Sequence, residues 1–271
     1  RVQSARFLRR MANQRSFALV TGASAGLGKE FALQLAERYN LVLVARRADL
    51  LQDLAHQCAG RGAECETMTA DLLKAEDVAR VEERTAKPDV ALLVNNAGFG
   101  TYGAFADLPR QGEADQVQLN IHTLVRLTHA ALGTMTQRGT GSIINVASVA
   151  GYQPAPYSAT YSATKTFVRY FTEAIAEEVR PQGVYMQVLC PGFTHTEFHE
   201  KADIAKGKIP DFLWMESADV VRDSIAAMEH GQTVCVPGAV NKAITAVGAA
   251  TPNAVSAKLA ALVMRTGMGA G

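Results

Sequence analysis

Short apolar runs alternate along the chain with longer segments in which apolar residues recur at helical spacing. The apolar runs are rich in β-branched residues and predict strands at 16–21, 40–45, 64–70, 90–95, 141–148, 184–190 and 233–237. The longer segments predict helices at 26–38, 48–60, 74–86, about 112–137 and about 158–179. Because the strands are apolar almost throughout, both of their faces should be buried, as in a parallel sheet. The alternation predicts an α/β fold, with a doubly wound, mostly parallel seven-stranded sheet and helices on both faces.

No long linker interrupts this pattern, so we expect one catalytic domain over residues 16–237, preceded by a basic tail at 1–15. Residues 238–271 would form a helical extension of that domain, in which the break at Thr251-Pro252 predicts two short helices. Two longer connections, at 98–110 and 191–216, contain glycine, proline and aromatic residues and follow predicted strand ends. Ligands of such sheets bind beyond the carboxyl ends of the strands, so these connections are the predicted substrate loops.

The overall charge indicates no polyanionic partner. The 271 residues include 27 Lys and Arg against 26 Asp and Glu, so binding to nucleic acid is not expected. No apolar run approaches the roughly 18–20 residues needed to cross a bilayer. We therefore expect a cytoplasmic protein, and membrane association is not the favoured hypothesis. Residues 1–15 leave an amphipathic membrane-surface or targeting segment as an alternative, and the Ala-rich C-terminal helices could either cover the pocket or associate with a membrane surface.

The cysteines and histidines indicate no metal site. Cys58, Cys65, Cys190 and Cys235 are far apart in the sequence and lack the CxxC spacing, which favours buried free thiols in a reducing compartment. No clustered spacing of His, Cys, Asp and Glu predicts a catalytic metal.

A glycine-rich turn lies directly between the first predicted strand and the first predicted helix. Its glycines, Gly22, Gly26 and Gly28, would permit a tight turn, close approach of a ligand to the backbone and close packing of helix on strand. The helix that follows presents backbone N–H groups to an anion such as a pyrophosphate. The spacing is GxxxGxG rather than GxGxxG, so the position between strand and helix carries the interpretation.

The end of the second strand bears on the choice of dinucleotide. NAD-binding folds usually place an acidic residue there, but this chain has Arg46 and Arg47 and no acid before Asp49. Two guanidinium groups favour a 2′-phosphate, so NADP(H) is the predicted cofactor. The alternative is that the two arginines only end the strand and begin a solvated helix.

Four motifs follow one another in the order found in a known family. They are TGASAGLG at 21–28, Asn95-Asn96-Ala97-Gly98, Ser148 at the end of the fifth strand, and Tyr161-Ser-Ala-Thr-Lys165. The chain resembles the short-chain dehydrogenase/reductase family over roughly residues 15–237, and within it the single-domain, NADP(H)-preferring type. The resemblance implies a Rossmann-like fold and an oxidoreductase that acts on a CH–OH group.

The resemblance also implies the residues that bind the cofactor. Gly22, Ser24, Gly26 and Gly28 would hold the pyrophosphate and the neighbouring ribose, and Asp71 would recognise the adenine amino group. In the PGxxxT stretch, Thr194 and Thr196 would contact the nicotinamide end. With the two arginines, the full predicted set is Gly22, Ser24, Gly26, Leu27, Gly28, Arg46, Arg47, Asp71, Leu72, Asn95, Ala97, Gly98, Tyr161, Lys165, Pro191, Gly192, Thr194 and Thr196.

The predicted catalytic residues are Ser148, Tyr161, Lys165 and Asn120. Reduction of a carbonyl needs a proton for its oxygen, and a free tyrosine, with a pKa of about 10, exchanges protons poorly at neutral pH. Lys165 lies one helical turn after Tyr161 and should lower the pKa of that phenol. Ser148 would bind the substrate oxygen. By the resemblance, Asn120 would anchor a water that links Lys165 to solvent, and Lys165 would hold the nicotinamide ribose.

A second tyrosine precedes this pair in the repeat YSATYSATK at 157–165. On a continuous helix Tyr157 would lie about 12 Å along the axis from Lys165, which is too far for direct activation. It also follows Pro156, where the chain is still entering the helix. We therefore assign acid–base chemistry to Tyr161 and a place in the pocket wall to Tyr157.

The substrate loops are rich in aromatic residues and proline, which predicts an apolar pocket. The residues concerned are Tyr102, Phe105, Tyr152, Pro154, Pro156, Phe193, Phe198, Phe212 and Trp214. His195 in the same loop is expected to contact solvent or phosphate rather than to act as acid or base. Lys201, Lys206 and Lys208 could reach an acidic substrate handle.

Three hypotheses for the function remain open at this point. The main one is an NADPH-dependent oxidoreductase that interconverts a ketone and a secondary alcohol on an apolar small molecule of lipid, steroid or aromatic type. A fatty-acyl or polyketide ketoreductase is the alternative within the same class, and a non-catalytic NADP(H)-binding regulatory or scaffold protein is the alternative outside it. The apolar stretch 167–171 on the helix of Tyr161 predicts a homodimer or homotetramer.

Overall fold

The computed structural model describes residues 15–197 and 210–267. The described strands are β1 Phe17–Thr21, β2 Asn40–Ala45, β3 Cys65–Thr69, β4 Val90–Asn95, β5 Gly141–Val146, β6 Val184–Leu189, β7 Phe193–His195, β8 Trp214–Glu216 and β9 Val234–Cys235. Seven of them form a parallel sheet in the order β3-β2-β1-β4-β5-β6-β9. The predicted doubly wound fold is confirmed, and its strand order reverses between β1 and β4, where ligands of such sheets bind.

The described helices are α1 Gly26–Leu35, α2 Ala48–Ala59, α3 Ala75–Thr85, α4 Arg110–Val117, α5 Leu124–Arg138, α6 Ala159–Val179, α7 Ser217–Glu229, α8 Ala239–Ala250 and α9 Asn253–Gly267. Six of them contribute to the two hydrophobic layers of the sheet, with α1, α2 and α7 on one face and α3, α5 and α6 on the other. Side chains alternate across each strand, so in β1 Val20 packs toward α1, α2 and α7, whereas Leu19 packs toward α3, α5 and α6. This two-sided burial explains why the strand sequences are apolar without interruption.

Several segments differ from the sequence predictions. The helix α7 was not among the predicted elements, although Val220, Val221, Ser224 and Ala227 are buried at helical spacing. The helix expected at about 112–137 contains a π-helical turn at Gln118–Thr123 between α4 and α5. The loop 191–216 contributes β7 and β8, which pair in parallel as a small separate sheet. The strand expected at 233–237 is only two residues long.

The C-terminal segment forms α8 and α9 on either side of Thr251-Pro252, at the predicted break. Over residues 15–197 and 210–267, no helix combines the length and the apolar character needed to cross a bilayer. All four cysteines are free, and Cys65 is half-buried rather than buried.

Candidate active site

The glycine-rich turn leaves β1 at Thr21 and enters α1 at Gly26. Gly22 and Gly26 have φ values of 66° and 52°, in the left-handed region that favours glycine. A Cβ atom at Gly28 would lie only 2.3 Å from the carbonyl oxygen of Gly22, so helix and turn are in direct backbone contact. The N-cap residue Ala25 provides no side-chain hydrogen bond to the helix. The first turn of α1 therefore presents uncapped N–H groups, which fit the pyrophosphate of a dinucleotide.

Asn96, which was not in the predicted set, fastens this turn to the end of β4. Its Nδ2 donates to the carbonyl oxygen of Thr21 at 2.9 Å, and its backbone N–H donates to Thr21 Oγ1 at 3.0 Å. The backbone N–H of Ala97 donates to the same hydroxyl at 3.0 Å. Asn96 and Thr21 thus set the position of the turn relative to the Ala97-Gly98 segment.

The neighbouring Asn95 was predicted to line the cofactor site, but its side chain points into the interior. Its Nδ2 donates to Asn145 Oδ1 at 2.9 Å and to Thr128 Oγ1 at 3.1 Å. Asn145 Nδ2 in turn donates to Thr172 Oγ1 on α6 at 3.0 Å. Adjacent strand residues point to opposite faces, so only one residue of the Asn95-Asn96 pair can face the cleft. The alternation shows from the sequence that one of the two asparagines faces the cleft, and the structure identifies it as Asn96.

The two predicted phosphate-binding arginines differ in their surroundings. Arg46 is exposed at the end of β2. Arg47 donates to Ser24 Oγ at 3.1 Å through Nη2 and forms an ion pair with Glu197 at 3.0 Å. Arg47 therefore fastens the glycine-rich turn to the loop 191–197, whereas Arg46 is the guanidinium available to an added phosphate. Glu197 was not predicted.

Two predicted adenine-side residues lie after β3. The carboxylate of Asp71 accepts a hydrogen bond from the backbone N–H of Leu73 at 3.2 Å, which fixes the turn locally. Leu72 is buried, and its carbonyl oxygen accepts a hydrogen bond from Thr123 Oγ1 at 2.9 Å.

The loop 191–196 folds back on the glycine-rich turn. A Cβ atom at Gly26 would lie 3.1 Å from Thr196, and Thr194 is buried with its hydroxyl donating to the Gly192 carbonyl at 3.1 Å. His195 is exposed and stacks on Trp214, with ring centroids 4.8 Å apart. The structure thus brings Thr196 to the start of α1 and turns the histidine of this loop outward. Phe198, Lys201, Lys206 and Lys208 lie outside the described residues.

The predicted catalytic residues converge at the carboxyl end of β5. Ser148 follows this strand, and its Oγ accepts a hydrogen bond from the backbone N–H of Ala150 at 3.1 Å. A side-chain hydrogen bond joins Ser148 to Tyr161 on α6. Lys165 lies one turn further along α6, with Nζ 5.7 Å from the centroid of the Tyr161 ring and donating to the Val146 carbonyl oxygen at 2.8 Å.

Burial dominates the electrostatics of this pair. It raises the pKa of Tyr161, with a further increase from nearby Tyr102, while the hydrogen bond from Ser148 acts in the opposite direction. Burial also lowers the pKa of Lys165 to about 8. The sequence-based expectation of a net lowered pKa for Tyr161 is therefore wrong for the protein alone, because desolvation of the buried phenol dominates. The phenol is fully protonated at neutral pH, which is the form that donates a proton.

Asn120 is held in the π-helical turn, a kind of helix irregularity that is frequent at functional sites. Its Nδ2 donates to the Phe99 carbonyl oxygen at 2.9 Å and to Thr164 Oγ1 at 3.1 Å, and its Oδ1 accepts from the Phe99 N–H at 3.2 Å. A Cβ atom at Gly98 would lie 2.9 Å from Asn120 Oδ1 and 3.6 Å from Lys165 Nζ. The predicted residues Gly98, Asn120 and Lys165 are thus brought together.

Tyr157 lies before α6 rather than on it. Its φ is 66°, and its carbonyl oxygen accepts a hydrogen bond from the Gly103 N–H at 2.8 Å. The two tyrosines of the repeat are therefore separated by a helix start. The ring of Tyr102, from the other predicted substrate loop, lies 6.4 Å from that of Tyr161. Phe105 and Phe212, also predicted for the pocket, are 65% and 71% exposed and so do not pack into a closed wall.

A buried carboxylate that was not predicted connects the substrate loop to α6. Glu113 on α4 accepts hydrogen bonds from Thr101 Oγ1 in the loop and from Thr160 Oγ1 next to Tyr161. Gln116, fully buried, donates to Thr101 Oγ1 at 2.7 Å. Glu113 was not predicted because the sequence of α4 is polar throughout and does not show which of its residues are buried. In the described part of the chain, no group of three or more His, Cys, Asp or Glu side chains is placed to hold a metal ion.

Comparisons of the sequence with known proteins place it in one family. A family model described as short chain dehydrogenase matches residues 16–206. A very-long-chain 3-oxoacyl-CoA reductase of Laccaria bicolor is 38% identical over 184 residues, which are 66% of this chain and 54% of that protein. The chain spans about half the length of the curated relatives it matches.

Solved structures agree. A short-chain dehydrogenase from Sphingobium yanoikuyae in complex with NADPH is 33% identical, with a TM-score of 0.79 and coverage of 83% of this chain and 88% of that one. A bulky-bulky ketone specific alcohol dehydrogenase from Comamonas testosteroni is 32% identical, with a TM-score of 0.74 and coverage of 82% and 86%. The resemblance drawn from the motifs is confirmed: the chain belongs to the short-chain dehydrogenase family.

Proposed function

We propose that the protein is an NADPH-dependent 3-oxoacyl thioester reductase that acts on substrates with a long apolar chain. The observation that carries the proposal is the hydrogen-bonded Ser148–Tyr161 pair with Lys165 one turn away, since this set reduces a carbonyl. The identity of the carbonyl compound is supported by the curated relatives, which are named very-long-chain 3-oxoacyl-CoA reductases. That support favours the fatty-acyl hypothesis over the steroid and aromatic ketones of our main sequence-based hypothesis.

The chain's own residues supply everything except the reducing equivalent. When bound, NADPH supplies the hydride. Ser148 donates a hydrogen bond to the substrate carbonyl oxygen and stabilises the negative charge that develops there. Tyr161, whose phenol is protonated at neutral pH, gives its proton to that oxygen. Lys165, whose pKa is about 8, is mostly cationic at neutral pH and stabilises the phenolate that Tyr161 leaves. Asn120, whose side chain is fixed by a hydrogen bond to Thr164, would anchor the water that links Lys165 to solvent.

Arg46 is the residue we assign to the 2′-phosphate of NADPH, with Arg47 positioning Ser24 in the turn. A charge-assisted hydrogen bond contributes about 1.5–3 kcal/mol, so Arg46→Asp should raise the Kd for NADPH by about 10- to 100-fold and leave that for NADH nearly unchanged. The matched control is Arg180→Asp, which removes an exposed arginine paired with Glu177 at the C-terminal end of α6, the end opposite to Tyr161. An unchanged NADPH/NADH preference in Arg46→Asp would reject the cofactor assignment.

The substrate is tested with 3-oxoacyl-CoA thioesters of short, medium and very long chain, followed by the loss of nicotinamide absorbance. We expect kcat/KM to rise with chain length, since each buried methylene contributes about 0.8 kcal/mol until the pocket is full. Tyr161→Phe should abolish the reaction while NADPH binding persists. Activity that survives Tyr161→Phe contradicts the mechanism, whereas turnover of none of the thioesters contradicts the substrate.

A ketone with bulky groups on both sides is the second candidate substrate class. The solved relative from Comamonas testosteroni, a bulky-bulky ketone specific alcohol dehydrogenase, favours it, as do the aromatic side chains near Tyr161. Diaryl ketones in the same assay separate the two classes. Rapid turnover of these ketones without turnover of thioesters would select the second.

The predicted homo-oligomer remains a proposal, as does the cytoplasmic location. Phe167 and Tyr170 on α6 are 38% and 60% exposed, and Phe167 stacks on Phe171 with centroids 5.5 Å apart. An exposed aromatic surface on one helix is typical of a subunit interface. A concentration-independent monomer in sedimentation velocity would contradict this assignment.

A further inference from the structure

Two of the four cysteines lie side by side at one edge of the sheet. Cys58 is the last residue of the buried stripe of α2, and Cys65 is the first residue of β3. Since β3 is an edge strand of the seven-stranded sheet, Cys65 is only half-buried, whereas Cys58 is fully buried. A hydrogen bond joins the two thiols. The pair therefore has one member that is partly open to solvent and one member in the interior.

The packing of α2 on β3 places the two cysteines opposite each other. Both pack in the hydrophobic layer that α1, α2 and α7 form on one face of the sheet. Further along, Gln52 Nε2 on α2 donates to Thr67 Oγ1 on β3 at 3.0 Å, and Thr67 lies on the same face of the strand as Cys65. Because α2 and β3 are joined by the short segment 60–64, they run in opposite directions. The end of the helix, with Cys58, therefore meets the start of the strand.

The turn between the two cysteines is fixed by hydrogen bonds. The Cys58 carbonyl oxygen accepts from the backbone N–H of Arg61 at 3.0 Å and from that of Ala63 at 3.2 Å. The Sγ atom of Cys65 lies 3.9 Å from the carbonyl oxygen of Ala63. Both cysteines are thus in contact with Ala63, and the folded turn sets the separation of their sulfurs.

The hydrogen bond between the thiols makes them chemically unequal. It lowers the pKa of Cys65, because the Cys58 thiol donates to the Cys65 sulfur and favours its thiolate form. The same bond, together with burial, raises the pKa of Cys58. A partly exposed cysteine with a lowered pKa, next to a second thiol, is the arrangement of a peroxide-reactive cysteine and its resolving partner.

The other two cysteines provide an internal comparison. Cys190 follows β6 and Cys235 lies on the neighbouring β9, with the Cys190 N–H donating to the Cys235 carbonyl oxygen at 2.8 Å. Both are buried, and burial raises the pKa of each thiol to about 12. Position on neighbouring strands does not by itself make a thiol reactive, so this pair should stay reduced.

We propose that Cys58 and Cys65 form a reversible disulfide when a peroxide oxidises Cys65. The Cys65 thiolate attacks a peroxide oxygen, the O–O bond breaks, and the released hydroxide takes a proton and leaves as water. The Cys58 sulfur then attacks the resulting sulfenic acid, so that the S–S bond forms, the S–O bond breaks and a second water leaves. Two thiols are oxidised and one hydrogen peroxide is reduced to two waters. The bond lies at the start of β3, whereas the proposed cofactor site lies beyond the strand ends, so this proposal is independent of the substrate and cofactor assigned above.

The test is treatment of the folded, reduced protein with a small molar excess of hydrogen peroxide, followed by thiol titration in urea and mass spectrometry. We expect the titratable thiols to fall from four to two, and a thiol reductant to restore all four. Trypsin cleaves after Arg61, between the two cysteines, so the disulfide should link the peptides 48–61 and 62–74 until reductant is added. Four remaining thiols, or a link between Cys190 and Cys235, would overturn the proposal.

Three variants assign the roles of the individual thiols. Cys65→Ser should keep its three remaining thiols under the same treatment, and loss of any of them would show that Cys65 is not the attacked residue. Cys58→Ala removes the resolving thiol, so Cys65 should proceed to the sulfinic acid and gain about 32 Da. Cys190→Ala is the matched control at a buried cysteine and should form the disulfide like the wild type.

Urea unfolding gives a readout that does not depend on any variant. The disulfide closes a loop of eight residues, from Cys58 to Cys65, and so restricts the unfolded chain. Because the folded turn already holds the two sulfurs together, the oxidised wild type should unfold at a higher urea midpoint than the reduced protein. A lower midpoint would mean that the bond strains the fold, which contradicts the placement of the two thiols.

Discussion

Lys165 should lower the stability of the fold at neutral pH. Burial lowers its pKa from 10.5 to about 8, and this difference corresponds to about 3 kcal/mol by which the folded state disfavours the protonated amine. The side chain is 6% exposed and has the Val146 carbonyl oxygen as a hydrogen-bond acceptor, so solvent screens the charge little. In the proposed mechanism this loss of stability accompanies a function, because the Lys165 cation stabilises the phenolate of Tyr161.

The sign of the pH dependence follows from the lowered pKa. Below about pH 8 the folded and the unfolded chain both hold the proton, and the full cost is present. Between about pH 8 and 10.5 only the unfolded chain holds it, so stability rises with pH through this window. Lys165→Met keeps the length of the side chain and removes the titration. The free energy of unfolding of the wild type minus that of the variant should therefore rise by about 2 kcal/mol between pH 7 and pH 9.5.

Urea unfolding of the cofactor-free protein at the two pH values measures this difference. Taking wild type against variant cancels the titration of all other groups, and Tyr161 stays protonated throughout because its pKa is raised. Lys87→Met, at a half-exposed lysine paired with Glu83, is the control and should show no such change. If the wild-type-minus-Lys165→Met difference is the same at pH 7 and pH 9.5, Lys165 is not desolvated and the argument fails.

Three further substitutions and one control substitution, Gly112→Ala, test the scaffold around the site. Gly28→Ala should destabilise the fold by about 1–3 kcal/mol and raise the Kd for NADPH, because the new Cβ would lie 2.3 Å from the Gly22 carbonyl oxygen. Gly112→Ala, where a Cβ meets nothing within 4 Å, should be neutral or stabilising in the same urea experiment. Glu113→Gln should cost about 1–3 kcal/mol in urea unfolding, since a buried acceptor of two threonine hydroxyls is weakened; a change below 0.5 kcal/mol would show the network to be dispensable. Thr164→Val removes one acceptor of Asn120 and should lower kcat about fivefold with KM unchanged, and an effect on KM alone would contradict the placement of Asn120 behind the lysine.

The strands of the central sheet could be read from the sequence because each is buried on both faces and therefore uniformly apolar. Val42 and Leu43, for example, pack in opposite layers but have the same character. The helix α7 escaped prediction because its buried face includes Ser224, which hydrogen-bonds Gln187 Oε1 at 2.6 Å and looks polar in the sequence. A pattern of apolar residues does not reveal that a polar residue is buried when its hydrogen-bond partner is distant in the chain.

The residues of the candidate site also differ in whether their roles depend on local sequence or on partners that are distant in the chain. The glycine turn and the Tyr161–Lys165 spacing are local, and the structure places those residues where the motifs indicated. The roles of Asn96, Glu113 and Glu197 depend on residues 75, 47 and 150 positions away, respectively. The direction of the pKa shift of Tyr161 also depends on burial, which only the assembled fold determines.

The interior hydrogen bonds from Asn95 through Asn145 to Thr172 fix the rotation of α6, the helix that carries Tyr161 and Lys165. Apolar contacts alone tolerate small slides and rotations of a helix on a sheet, because they have little directional preference. The bond from Asn145 to Thr172 at 3.0 Å is directional and favours one rotational setting of α6. Tyr161 and Lys165 are carried on that helix, so their alignment with Ser148 is set two to three turns away, inside the protein. Residues that never meet a substrate thereby align the catalytic pair.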